Sequence, residues 1–179
     1  MKKREKGFSL IELLIVVAII LIIAAIAIPN LIRARIAANQ SSAAASLRTL
    51  ASASAMYLST YQDGYPAANG LTILGPPAAG AAPSCTTAGL IDTTLSLGQK
   101  SGYNFAWVQG TQAVANAPAG CAAGDSDMFS ATAGPISPSS GTEYYCVDAT
   151  NVIYQSAAAI TAVAGTGCPI GGADTPIGN

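Results

Sequence analysis

The feature that most constrains this chain is an unbroken apolar run near its start. The sequence LLIVVAIILIIAAIAI, from Leu13 to Ile28, contains no polar side chain. The longer stretch from Phe8 to Ile32 holds 25 residues and would measure about 37 Å as a helix, enough to cross a hydrocarbon core of about 30 Å. The run therefore predicts a transmembrane helix.

Charge is distributed unevenly around this run. Four of the eight basic residues precede Gly7, namely Lys2, Lys3, Arg4 and Lys6. By the positive-inside rule these cations keep residues 1–6 in the cytoplasm and place the chain beyond Ile28 outside the inner membrane. One of the nine acids also precedes Gly7, so the rest of the chain keeps four cations and eight acids, a net charge of −4. Such a body lacks the basic surface that nucleic acid requires.

One acid, Glu12, lies near the start of the apolar stretch. A charged side chain inside a bilayer costs about 2.5 to 3.5 kcal/mol on insertion scales, so a simple anchor would favour leucine there. A cleavable secretory signal is also disfavoured, because AAIAIPN is a poor version of the small-residue pattern at a signal cleavage site. Glu12 therefore predicts a charged partner.

The segment KGFSLIELLIVVAIILIIAAIAIPN resembles the amino terminus of a type IV prepilin, either a pilin or a pseudopilin of a type II secretion system. The resemblance covers about the first 35 residues. It rests on a short basic leader, on Gly7 followed by Phe8, on Glu12 four residues later, and on Pro29 near the end of the run. It implies that residues 1–7 are a cleaved leader and that residues 8–32 form a transmembrane and assembly helix.

The resemblance also implies a processing pathway and partners. A membrane-bound prepilin peptidase would cut between Gly7 and Phe8 and methylate the new amine of Phe8. Identical subunits, an inner-membrane assembly platform and its ATPase would be the other partners. The chain would cross the inner membrane once, with its N-terminus in the cytoplasm, and later enter an extracellular pilus or a periplasmic pseudopilus.

Two pairings are open for Glu12 after such a cut. Its carboxylate can pair with the Phe8 amine of a neighbouring subunit, which would fix the axial register of the helices because a shifted register leaves both charges unpaired. It can also pair with the Phe8 amine of its own chain, since positions 8 and 12 are four residues apart on one helix, and the positive end of that helix also favours an acid there.

A second helical segment, residues 33–62, continues the first. Pro29 predicts a kink, with a helix end at the membrane surface as the alternative. The segment is free of Gly and Pro and carries an apolar stripe at helical spacing, formed by Leu47, Leu50, Ser54, Tyr57 and Tyr61 with Leu58 beside it. This stripe is expected to carry the globular body, whereas Arg33, Arg35 and Arg48 lie off it and are expected to be solvated.

The rest of the chain predicts a wrapping loop and a small sheet. Residues 63–100 are rich in Ala, Gly, Pro, Ser and Thr, with a short helix expected near Ala88–Leu97. Residues 101–179 form the predicted sheet domain, with strand-like segments at Ser101–Gln109, Asp127–Ala133, Gly141–Asp148 and Asn151–Ser156. The predicted fold is α+β: a long N-terminal helix packed on three or four antiparallel strands, with a tail held by Cys168.

Four cysteines lie beyond the apolar run, at Cys85, Cys121, Cys146 and Cys168. Their separations of 36, 25 and 22 residues do not resemble a metal-binding motif, whose ligands come in close pairs. An exported domain with an even number of cysteines favours two disulfides, and buried free thiols are the alternative. Of the three possible connectivities, we favour Cys85 with Cys121 and Cys146 with Cys168.

No catalytic constellation is visible in the sequence. The chain has no histidine, which removes the commonest general base and the commonest metal ligand. Four acids were considered for a calcium site, but their spacing matches no calcium loop and they are expected to be solvated: Asp125, Asp127, Glu143 and Asp148. The aromatic residues of the strands are expected to pack within the sheet: Tyr103, Phe105, Trp107, Tyr144, Tyr145 and Tyr154. We therefore expect no enzyme, no cofactor and no metal.

The function that these features favour is a structural subunit of a type IV pilus. Three alternatives share some of the features: a pseudopilin of a type II secretion system, a minor pilin of a DNA-uptake pilus, and a monomeric membrane-anchored binding protein. The sequence does not distinguish adhesion, motility, DNA uptake or electron transfer as the role of the filament.

Overall fold

The computed structural model describes residues 7–62, 64–111, 121, 126–165, 167–169 and 175–177. The chain forms two compact units, Met1–Arg35 and Ile36–Asn179. Helix α1, Leu10–Tyr61, contributes residues to both.

The described part of the first unit is helical from Leu10 onward and has no core of its own. Phe8 is 82% exposed, and Val17, the least exposed of its large apolar side chains, is still 46% exposed. Helix α1 is long and apolar enough to cross a membrane, and none of its most apolar part is buried inside the chain. The unit therefore depends on apolar surroundings outside the chain.

The helix continues through Pro29 rather than ending there. Because proline has no N–H, the carbonyl of Ala25 loses its usual helical donor. The next residue adds a side-chain hydrogen bond to the helix: Asn30 Nδ2 donates to the carbonyl oxygen of Ile26 at 3.1 Å.

The second unit packs one face of α1 on an antiparallel sheet. The predicted stripe forms the helical side of the core: Leu47, Leu50, Ser54 and Tyr57 are almost fully buried. Four alanines complete this face, Ala43, Ala44, Ala51 and Ala53. Tyr61 is only partly buried, and Leu58 lies on the exposed side at 37%.

The sheet is a six-stranded meander in which every strand pairs antiparallel with the next along the chain. Its strands are β1 (Gln99–Lys100), β2 (Tyr103–Gln109), β3 (Phe129–Pro135), β4 (Tyr144–Asp148), β5 (Ile153–Ser156) and β6 (Thr175–Ile177). The α+β fold predicted from the sequence is confirmed. The four predicted strand segments overlap β2 to β5, but the number of strands was underestimated, because β1 and β6 are too short to show an alternating pattern.

The face of the sheet toward the helix is aromatic and aliphatic. The Trp107 ring stacks on Phe129 with centroids 4.7 Å apart, and Tyr65 tilts against the same Phe129 ring at 4.8 Å. Trp107 Nε1 donates to the carbonyl oxygen of Pro66 at 3.1 Å. Of the six strand aromatics, Tyr103, Phe105 and Tyr145 are buried and the other three are partly buried. They pack within the sheet, as expected.

The segment before the sheet wraps the body and carries two short helices, α2 (Gly70–Leu74) and α3 (Thr93–Ser96). Helix α3 lies within the predicted helical region, whereas the sequence did not predict α2. Asp92 caps α3 by accepting the Leu95 N–H at 3.0 Å, and it forms an ion pair with Lys100 at 2.9 Å. The hydrogen bond from Lys100, followed by that from Leu95, lowers the pKa of the Asp92 carboxyl.

Two disulfides fix the loops to this body. Cys85 is bonded to Cys121 and Cys146 to Cys168, which is the connectivity favoured from the sequence. The first disulfide lies beside α1, where the Tyr57 hydroxyl donates to the carbonyl oxygen of Cys85 at 2.8 Å. The second ties the tail to the central strand β4.

Asp148 overturns one expectation, because it is a buried acid rather than a solvated one, with 8% of its surface exposed. Its Oδ1 accepts the Thr150 N–H at 2.9 Å and the Thr150 hydroxyl at 2.6 Å, and its Oδ2 accepts the Cys168 N–H at 3.1 Å. Gly167 allows this approach, since its φ is +68° and a Cβ there would lie 2.8 Å from Oδ2. Sequence analysis missed this role because 20 residues separate Asp148 from Cys168.

The structure describes two of the other three acids expected to be solvated, Asp127 and Glu143. Asp127 is exposed and Glu143 is partly exposed, whereas Asp125 lies outside the described residues. Within the part of the chain that the structure describes, no three metal-binding side chains come together.

Asp148→Ala is predicted to lower the free energy of unfolding by about 2 to 4 kcal/mol, because it removes a charged acceptor and leaves the buried Cys168 N–H without a partner. Urea unfolding of the detergent-solubilised chain, followed by the fluorescence of Trp107, measures this. Asp127→Ala, the same change at an exposed carboxylate, should shift it by less than about 0.5 kcal/mol. Equal effects for the two variants would contradict the role of Asp148.

Tyr103 makes the fold sensitive to alkaline pH. Burial, with smaller contributions from Tyr145 and Glu143, raises the pKa of Tyr103 from 10.0 to about 12, and its hydroxyl donates to the Glu143 carbonyl oxygen at 2.9 Å. A raised phenol pKa stabilises the fold fully below pH 10, and this contribution is lost as the pH rises toward 12.

Tyr103→Phe is therefore predicted to flatten the fall of unfolding free energy between about pH 10 and pH 12 by up to about 1.4 kcal/mol per pH unit. At pH 7 the free energy of unfolding of the variant should be lower by about 1 kcal/mol, because the Glu143 carbonyl loses its hydrogen-bond donor. Urea unfolding at a series of pH values measures both effects. An alkaline slope unchanged by the substitution would contradict the assignment.

Candidate functional site

The first turn of α1 is built around Glu12. Ser9 directly precedes the helix, and Glu12 is the third helical residue. Glu12 Oε2 accepts the backbone N–H of Ser9 at 2.9 Å, and the Leu13 N–H bonds to the Ser9 carbonyl oxygen at 3.3 Å. This is the backbone half of a capping box, in which an acid at the third helical position reaches back to the residue before the helix.

The cap offsets part of the free-energy cost of placing an acid in an apolar segment. A hydrogen bond to a charged group contributes about 1.5 to 3 kcal/mol, and the helix N-terminus adds about 0.3 to 1 kcal/mol for a nearby acid. Together these terms are similar to the cost of about 2.5 to 3.5 kcal/mol for a charge within a bilayer. Glu12 therefore has a stabilising contact within its own helix.

Sequence analysis missed Ser9, although the signal was present. The spacing Ser-x-x-Glu immediately before an apolar helical run is the signature of a capping box. Both partners expected for Glu12 from the sequence are positive, the Phe8 amine and the positive end of the helix, whereas Ser9 offers a neutral backbone donor one residue beyond Phe8.

The surroundings of the other predicted site residues are open. Phe8 is 82% exposed. A Cβ on Gly7 would have no atom within 4 Å, so nothing that this fold places nearby requires a glycine there. The predicted leader residues 1–6 lie outside the described residues.

Arg33 and Arg35 follow the apolar stretch of the same helix. Both side chains are exposed, and neither forms an ion pair with any residue that the structure describes. They mark one polar end of the apolar stretch, and Glu12 marks the other.

The chemistry available at this site is association rather than catalysis. The residues around the helix start offer a carboxylate, a backbone donor and a broad apolar surface. Four alanines interrupt the large side chains of that surface: Ala18, Ala24, Ala25 and Ala27. Small residues let apolar helices approach closely, and a carboxylate with a free oxygen can accept a cation.

Comparison with known proteins identifies the same segment. Residues 2–28 match the family model described as the prokaryotic N-terminal methylation motif. The chain is 52% identical over 56 residues to the type IV major pilin protein PilA of Myxococcus xanthus, which covers 31% of this chain and 26% of that protein. It is 51% identical over 55 residues to the type IV wide pilus major component PilA4 of Thermus thermophilus, covering 31% of this chain and 42% of that protein.

The match thus spans less than half the length of either relative. No solved structure matches this chain. Both relatives are named as components of pili, which are structural proteins rather than enzymes. The chain is therefore similar to type IV pilins over the part that these matches cover, and it carries the prokaryotic N-terminal methylation motif at residues 2–28.

Proposed function

We propose that this protein is a structural subunit of a type IV pilus. The observation that supports this most strongly is the apolar half of α1, which overlaps the methylation motif and is not buried by any part of the chain that the structure describes. The two relatives named as major pilus components add support. The subunit would use the same apolar surface twice, first in the membrane and then in a filament.

In the membrane stage, lipid covers the helix. Each large apolar side chain removed from water contributes about 1.5 to 3 kcal/mol, so a stretch this long is firmly held. Four cations precede Gly7 and two, Arg33 and Arg35, follow the stretch. This bias favours an N-terminus in the cytoplasm and a globular body outside the inner membrane.

Processing would then remove the basic leader. Gly7 is compatible with this step, because the described residues leave the space around it open and a peptidase would meet no obstruction from them. Cleavage between Gly7 and Phe8 removes four cations that could not enter an apolar bundle. It also creates an amine on Phe8, which stays protonatable after methylation.

Assembly would transfer the helix from lipid to a bundle of identical helices. Lipid tails are as apolar as leucine, so the hydrophobic effect gives little drive for this step. Close packing at the alanines and pairing of charges must supply it. An assembly platform and its ATPase would extract the subunits.

Glu12 would set the register of the bundle. Its carboxylate would pair with the Phe8 amine of a neighbouring subunit, which satisfies both charges in an apolar interior. A displaced neighbour would leave both charges unpaired, at a cost of several kcal/mol. The long-range order of the filament would thus follow from one pair of charges.

Shearing of cells that produce this protein is predicted to release long filaments composed of it. Mass spectrometry of the filaments should find a chain that begins at Phe8 and carries one additional methyl group. A chain found only as a membrane-bound monomer would instead favour an anchored binding protein. Loss of exoprotein secretion on deletion, without surface filaments, would favour a pseudopilin.

Glu12→Ala is predicted to abolish filaments while leaving membrane insertion intact. Removing one partner of a buried charge pair costs about 3 to 5 kcal/mol, which is more than a hundredfold in subunit association. The measurement is the yield of sheared filaments relative to subunit in the membrane fraction. The control is Glu143→Ala, which removes an acid from the globular unit and should assemble normally. Filaments from Glu12→Ala at the wild-type yield would contradict the proposed role of Glu12 in setting the register.

A further inference from the structure

The carboxylate of Glu12 uses its two oxygens unequally. Oε2 accepts the Ser9 N–H at 2.9 Å, whereas Oε1 has no hydrogen-bond partner among the residues that the structure describes. The side chain is exposed. An ionised carboxylate offers about four acceptor sites. Glu12 can therefore keep its cap and accept a second donor at the same time.

Cleavage after Gly7 would leave the cap in place. The Ser9 N–H belongs to the peptide bond between Phe8 and Ser9, one residue beyond the cut. The same donor is present before and after processing. A subunit capped in the membrane would thus begin assembly with Glu12 already oriented.

We propose that Ser9 is a positioning residue for assembly. Its backbone N–H holds Oε2 of Glu12 in place and leaves Oε1 to accept a hydrogen bond from the Phe8 amine of a neighbouring copy. The proposal rests on the proposed function and adds a second requirement to it. The register would depend on the orientation of the carboxylate as well as on its charge.

The donor can be removed without touching the charge. Every residue except proline has a backbone N–H, and proline is compatible with the first turn of a helix. Ser9→Pro therefore deletes the donor, whereas Ser9→Ala removes the hydroxyl and keeps the donor, which makes it the matched control. Glu12→Gln completes the set, because its amide oxygen can still accept the Ser9 N–H but brings no charge to the amine.

The expected size of the effect follows from the strength of the bond. A hydrogen bond to a charged acceptor corresponds to roughly ten- to hundredfold in an equilibrium constant. Sheared filaments from Ser9→Pro should fall at least about tenfold relative to Ser9→Ala, at equal membrane content and with processing verified by mass spectrometry. Ser9→Ala should remain within about twofold of the wild type, and Glu12→Gln should not assemble.

A second measurement tests the cap without assembly. In the full-length precursor, isotopically labelled in detergent micelles, the amide proton resonance of Ser9 should move as the pH is lowered through the protonation of Glu12. In Glu12→Gln this pH dependence should disappear. A structural role of Ser9 that does not involve the carboxylate would leave the resonance independent of pH in both proteins.

The outcomes separate this proposal from the proposed function. If the wild type forms no filaments, the proposed pilus function is contradicted, whether or not the Ser9 amide resonance depends on pH. If the wild type assembles and Ser9→Pro assembles as well as Ser9→Ala, the positioning role is overturned. Should the peptidase reject Ser9→Pro, the micelle experiment decides, and a Ser9 resonance that does not follow Glu12 overturns the proposal.

Discussion

The structure depends on an apolar helix whose surface the described residues of the chain leave exposed. Residues 10–32 expose leucine, isoleucine and valine on every side, so this unit is stable only in lipid or among other helices. The second unit, in contrast, has a core of its own. It buries one stripe of the same helix on a sheet and is held by two disulfides.

Glu12 connects the stability of the single chain with the proposed assembly. Within the chain, its carboxylate is an ordinary helix cap that offsets much of the cost of a charge in an apolar segment. A residue that is satisfied on one side and open on the other can serve the monomer and the filament without rearrangement. The acid therefore does not have to remain unpaired in the membrane until a neighbour arrives.

Much of the fold could be predicted from the sequence because its signals are local. The long helix follows from alanine-rich sequence without glycine or proline around Leu47 and Tyr57. Strand β2 follows from aromatic residues at every second position, Tyr103, Phe105 and Trp107. The missed features depend on contacts distant in the chain. Asp148 accepts the N–H of Cys168, which lies 20 residues further along the chain, and β6 has three residues, including Pro176. Ser9 was a local signal that was overlooked, since a neutral donor was not considered for a charged side chain.

The short outer strands of the sheet affect how two copies of this chain can meet. Exposed strand edges are templates for uncontrolled pairing between chains. Here the two outermost strands have only two and three residues, and Pro176 removes a donor from the second. Two copies that meet edge to edge would therefore find little free backbone to pair, which protects the sheet from aggregation at its outer strands.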